Sequence, residues 1–169
     1  MTMGIKMDVQ LKGIEYNSED YKMELVLRDE VLRKPLGLSL YDEDLTVDEH
    51  DFHLGVFVGR QIVGTLIMTR ISADELKMRQ VAVAEKWRGK TIGRQMVRCA
   101  EQCAVSEGCK MIVLNARKAV VTFYENLGYE KISEEFLEIS IPHYKMRKYL
   151  PDSIMSKISY SNRNNVWGQ

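Results

Sequence analysis

Residues 81–97 read VAVAEKWRGKTIGRQMV: a short apolar strand, a basic turn holding two glycines, then the opening of an amphipathic helix. A strand that passes through a loop into a helix N-terminus turns several unpaired backbone N–H groups toward one spot, and the positive end of the helix dipole adds to them. Phosphate is the ligand such a spot favours. Gly89 and Gly93 let a ligand approach the backbone closely, while Arg88 and Lys90 supply charge. Alone, RGxxxG marks only a helix start, so the neighbouring segments decide its meaning.

Just upstream, Leu76 and Met78 set one strand parity and Val81 and Val83 the other. Strand side chains alternate with a period of two, so holding both pairs on one face requires an extra residue near Arg79 and Gln80, a β-bulge. The alternative is a strand covered on both faces, where parity is loose. Earlier still, apolar alternation from Phe52 to Val58 and from Ile62 to Met68, interrupted by Gly59-Arg60, predicts a hairpin. Residues 8–16 predict a first strand, and Ser18-Glu19-Asp20 the capped start of a helix that runs to about Lys34 and is stopped by Pro35 and Gly37. The stretch 41–51, with six acids and no Lys or Arg, predicts a solvated loop or short irregular helix.

Downstream, Ile92, Met96, Cys99, Ala100 and Cys103 keep helical spacing to Glu107, and Gly108 closes the helix. Met111–Leu114 is a continuous apolar run of the kind found in a central parallel strand. Lys118 to Leu127 predicts a further helix, and Tyr129–Glu134 and Phe136–Tyr149, broken near Pro142, predict two closing strands. The expected fold is α/β in the α+β sense, a mixed and mostly antiparallel sheet flanked by helices. Residues 1–150 are read as a single domain and 151–169 as a C-terminal tail packing on the domain or on a partner subunit.

Composition narrows the function. The 169 residues carry 24 Lys plus Arg against 24 Asp plus Glu, so no global basic field exists to bind nucleic acid. No apolar run approaches the roughly 20 residues that span a bilayer, and the first residues lack a secretory core, so the chain reads as cytoplasmic with no membrane partner. Three cysteines without a CxxC pair indicate neither a disulfide framework nor a metal site; Cys99 and Cys103, four apart on a helix, read as small core residues.

The run 81–97 resembles the acyl-CoA-binding motif of the GNAT-type N-acetyltransferases, R/Q-x-x-G-x-G/A after a strand, with Thr91 where the first motif glycine is usual. IVLNARKAVVTFYENLGY at 112–129 resembles the second signature of that superfamily, a strand followed by a helix carrying Phe-Tyr and then Gly-Tyr. EISIPHYKM at 138–146 and LRDEVLRKPLGL at 27–38 are similar to a bacterial branch, the YjcF/ElaA-like group. The resemblance implies a sheet with a central parallel pair of strands splayed apart, acetyl-CoA as co-substrate, an amine acceptor and no metal. It places the pantetheine arm against Val81, Ala82 and Val83, and the pyrophosphate against Arg88, Gly89, Lys90, Thr91, Ile92, Gly93 and Arg94. The Thr91 side chain either crowds the pyrophosphate or donates a hydrogen bond to it.

The same resemblance puts Asn115 on the cofactor arm or an ordered water, and Tyr124 beside the departing thiolate as proton donor. An attacking alkylammonium must first lose a proton, and Glu75, Glu138, His143 or a water chain are open as acceptors; His143 is carried forward as the candidate catalytic residue, its imidazole suited to proton transfer. A helix face behind the motif is the wrong place for an activated thiolate, so direct transfer in a ternary complex is expected over an acyl-cysteine. The acidic stretch 41–51 lies where the fold places the acceptor wall and could draw a cationic amine. A non-catalytic acyl-CoA-binding or regulatory module stays open beside the enzyme, as do a longer acyl donor and a homodimer.

Overall fold

Strand β1 (Val9–Ile14) pairs antiparallel with β2 (Phe52–Val58), from Val9↔Val58 to Ile14↔His53. Between them lies helix α1 (Glu19–Leu32), started by Ser18, whose hydroxyl accepts from the Tyr21 N–H. Pro35 then enters a 3-10 turn at Lys34–Leu36, and Gly37, at φ 71, closes it in the left-handed region that glycine tolerates. Two more 3-10 turns, Leu40–Asp42 and Leu45–His50, carry the acidic stretch. The expectation of a solvated loop fails most clearly at Asp48, which is fully buried.

The hairpin forms as the alternation required, β2 joining β3 (Gln61–Arg70) through Gly59, at φ 60. Strand β4 (Glu75–Val83) runs parallel to β5 (Met111–Arg117), with Glu75↔Met111 through Met78↔Leu114 in register. Helix α2 (Ile92–Ser106) lies between them in sequence. The predicted helix over 118–127 is shorter than expected, a 3-10 turn at Lys118–Val120 followed by α3 (Val121–Glu125). Strands β6 (Glu130–Lys131) and β7 (Phe136–Glu138) both pair with β8 (Ile141–Tyr149), and β8 runs antiparallel to β5 from Met111↔Tyr149 to Arg117↔His143. The break expected near Pro142 falls at Ile139 and Ser140, both at positive φ, and Pro142 sits inside β8 opposite Leu137.

The computed structural model describes residues 8–152. The tail read from 151 onward lies outside the described residues beyond Asp152. Hydrogen bonds order the strands β1-β2-β3-β4-β5-β8-β6, with β7 also on β8. The fold is thus mixed α/β, mostly antiparallel with one parallel pair. The described chain forms two compact units, 8–67 with 80–96, and 68–79 with 97–152. The first is centred on Ile14, Tyr21, Leu25, Leu27, Leu40, Phe57 and Ile62. The second buries Leu76 and Met78 of β4, Ile112 and Leu114 of β5 and Met146 of β8. No described helix is long and apolar enough to cross a membrane.

Candidate active site

The irregularity predicted in β4 sits in its backbone: Gln80, inside the strand, has φ 54. Non-glycine residues seldom adopt that conformation, and strand interiors almost never do. Burial does not follow the parity argument, however. Beyond the break Ala82 is the buried residue, while Val81 and Val83 are half-buried. Further along, the Ala84 N–H donates to the Val63 carbonyl at 2.8 Å, and Arg88 Nε donates to the Val83 carbonyl at 3.3 Å.

The turn after β4 is built from a 3-10 turn at Glu85–Trp87, then Gly89 at φ 73 and Thr91 at φ 66. A Cβ on Gly89 would meet nothing within 4 Å, so glycine is needed there for its φ and not for space. Thr91 begins α2: its carbonyl accepts from the Gln95 N–H at 3.0 Å and its Oγ1 accepts from Gln95 Nε2 at 3.0 Å. The N–H groups of Ile92, Gly93 and Arg94 belong to the helical turn that has no intrahelical acceptor. No acid occupies that turn, and Lys90 lies over the Trp87 ring at 5.5 Å. Gly64 of β3 sets the height of the helix start, since a Cβ there would come within 3.0 Å of Met96 Sδ and 3.1 Å of Ile92 Cγ2.

In the second unit Asn115 lies opposite Lys145 in the β5–β8 ladder, and Asn115 Nδ2 donates to Glu138 Oε1 at 3.2 Å. The other Glu138 oxygen is 3.3 Å from His143 Nε2. His143 is buried, its ring stacked on Phe136 at 6.0 Å, and its Nδ1 lies 2.7 Å from the Ile141 carbonyl. A carbonyl only accepts, so Nδ1 carries a hydrogen and donates it to Ile141. Three of the sequence candidates, Asn115, Glu138 and His143, are thus brought together. Glu75 is not among them: it pairs with Met111, four residues before Asn115, or roughly 13 Å along the strand.

Tyr124 of α3 is buried, with its ring 5.0 Å from Phe123 and 5.7 Å from Tyr129. Burial pushes its phenol well above the ordinary range, which keeps it protonated. At the far end of the β5–β8 ladder from Met111, an open depression of about 440 Å³ is lined by Arg117, Lys118, Ala119, Ile141 and Pro142. Burial also raises the thiols of Cys99 and Cys103 to about 11 and about 12, so neither is a nucleophile at neutral pH.

The sequence reading missed a buried charged network in the first unit. Arg28 Nη1 donates to Glu24 Oε2 at 2.9 Å and to Asp48 Oδ2 at 2.8 Å, and Tyr21 Oη donates to Asp48 Oδ2 at 2.7 Å. His53 Nδ1 lies 2.9 Å from both Glu24 oxygens and Nε2 lies 2.8 Å from the Asp48 carbonyl. Both ring nitrogens face acceptors, an arrangement that favours the imidazolium. Burial opposes that charge, but the Glu24 carboxylate and the Asp48 carbonyl outweigh it and raise the pKa. Arg28 Nε donates to Gln80 Oε1 at 3.2 Å, tying the network to the irregular residue of β4.

Residues 17–150 match the family model for an acetyltransferase (GNAT) domain. The protein YyaT of Bacillus subtilis strain 168 is 30% identical over 114 residues, which are 68% of this chain and 76% of YyaT. Among solved structures, Escherichia coli ElaA superposes with a TM-score of 0.72 at 21% identity, over 83% of this chain and 99% of ElaA. A GNAT acetyltransferase from Elizabethkingia anophelis, solved with acetyl-CoA bound, superposes with a TM-score of 0.63 at 16% identity, over 86% of this chain and 100% of its own. The chain belongs to the GNAT acetyltransferase family, and its class is that of an acyl-CoA-dependent N-acyltransferase.

Proposed function

We propose that the chain moves an acetyl group from acetyl-CoA to an amine by direct attack in a ternary complex. The observation that carries this is the turn at 88–94, where left-handed Gly89 and Thr91 lead into a helix start whose first N–H groups have no intrahelical acceptor, with no acid in the first turn and flanking Arg88, Lys90 and Arg94. That donor set fits a pyrophosphate. The structural likeness solved with acetyl-CoA bound supports the same co-substrate. In this reading Val81, Ala82 and Val83 offer backbone groups to the pantetheine arm, and a backbone N–H of that strand polarises the thioester carbonyl as the oxyanion develops.

The amine nitrogen attacks the thioester carbon and the C–S bond breaks. The leaving sulfur takes its proton from Tyr124, which burial keeps protonated at neutral pH, and the proton that the nitrogen sheds as the amide forms returns to the phenolate. The proton lost by the ammonium goes to Glu138, whose carboxylate is held between Asn115 and His143. His143 then acts through Glu138, fixing its orientation.

Calorimetric titration with CoA and acetyl-CoA tests the first half, and no binding at millimolar ligand overturns it. The second half is tested by following CoA release over a panel of amines. Tyr124→Phe should bind CoA as wild type does and lose about 10²–10⁴-fold in kcat. Binding without release for any amine would make the chain a non-catalytic acyl-CoA module.

A further inference from the structure

Gln80 stands at φ 54 inside a strand. Asparagine and aspartate reach that region with help from their short side chains; glutamine has no such local help. A conformation of this kind persists where the surroundings over-determine it. What surrounds Gln80 is Arg28, whose Nε donates to Gln80 Oε1 at 3.2 Å while Nη1 is held by Glu24 and Asp48. His53 joins the same two residues from the other side, and Tyr21 caps Asp48. Arg28, Glu24, Asp48 and His53 are all at most 2% exposed. Burying two carboxylates and two cations is an expensive way to stabilise a fold, because well-packed apolar residues do as well or better. It is a good way to hold one guanidinium in one orientation.

We infer that Arg28 and Gln80 are positioning residues for the acyl-CoA arm. The buried network fixes the guanidinium, the guanidinium holds the Gln80 side chain, and the held side chain keeps β4 in the left-handed conformation from which Val81 to Val83 continue. This rests on the proposal that those residues meet the pantetheine arm. Neither Arg28 nor Gln80 touches the reacting atoms, so their effect falls on the KM for acetyl-CoA, with kcat at saturation and the KM for the amine unmoved.

The test is CoA binding by titration calorimetry, with melting temperature measured on the same samples. Gln80→Met keeps the side-chain volume but offers Arg28 only a weak acceptor. It should bind CoA about tenfold more weakly, the factor one charge-assisted hydrogen bond is worth. Gln80→Gly adopts positive φ unaided and should stay within about twofold of wild type. Arg28→Lys should weaken binding like Gln80→Met, and adding Gln80→Gly to it should restore binding without restoring the melting temperature. Should Arg28→Lys fail to fold, the two Gln80 variants decide alone. Wild-type affinity in Gln80→Met, or equal weakness in Gln80→Met and Gln80→Gly, overturns the inference. A wild-type chain that binds no CoA overturns the functional reading first, and this inference with it.

Discussion

Of the replacements for Thr91, glycine should give the more stable protein and alanine the less stable one. Thr91 has φ 66, a region that costs an L-residue about 1–2 kcal/mol because Cβ crowds the following carbonyl oxygen. Glycine escapes that cost but loses more backbone freedom on folding, about 0.5–1 kcal/mol. Both variants lose the exposed bond from Gln95 Nε2 to Thr91 Oγ1, so that loss cancels between them. Glycine should therefore exceed alanine by about 0.5–1 kcal/mol, or about 1–4 °C in melting temperature for a chain of this size. Thermal unfolding of the two purified variants at one pH and salt concentration reads the difference directly. Alanine equal to or above glycine would refute the conformational argument. The same pair decides what the Thr91 side chain does to CoA. Equal loss of affinity in both marks a hydroxyl that donates to the pyrophosphate, and a gain confined to glycine marks crowding.

Gly64→Ala should lower stability by about 1 kcal/mol or more and weaken CoA binding, because the new Cβ displaces Ile92 and Met96 at the start of α2; unfolding curves and calorimetry check both effects. His53 has a pKa raised by folding, so its contribution to stability is complete below about pH 6.5 and is lost as pH climbs through the raised folded value. Denaturant midpoints should accordingly fall on the alkaline side in wild type and fall less in His53→Gln; identical profiles would contradict the charged, doubly bonded imidazole. In the native protein Cys99 and Cys103 should react with a thiol reagent far more slowly than in denaturant, since burial holds both thiols near or above 11.

The fold was legible where a local signal had a single physical meaning. Ser18 starts α1, Gly37 ends its exit turn, Gly59 turns the hairpin, and each does so through a cap or a positive φ that the residue type announces. The parity slip at Arg79-Gln80 also pointed to the right place, and Gln80 carries the irregularity. Its burial consequence was misjudged because Val81 and Val83 are only half covered, and apolar residues left half covered look in sequence like core. The short α3 and the turn at Ile139-Ser140 were hidden for a different reason. Neither Ile139 nor Ser140 is a residue that favours positive φ, so only the pairing of β7 with β8 places the turn there.

Charge was the least legible property, because a carboxylate in sequence carries no mark of its partner. Asp48 stands among five other acids, where a solvated run is the natural reading. Glu43 already departs from that reading through its bond to Arg33, and Asp48 departs entirely by meeting Arg28, twenty residues earlier on α1. Nor did His53 carry a signal, since a lone histidine at a strand start has no spacing to read. Its two acceptors come from α1 and from the 3-10 turn before β2, and only the fold brings them to one ring. Within the second unit the same holds for Glu138 and His143, five residues apart but facing each other across the β7–β8 turn. Motif spacing could single out the turn at 88–94 because its backbone donors are consecutive in sequence. It could name Asn115, Glu138 and His143 but could not join them, because strand register is what brings them together.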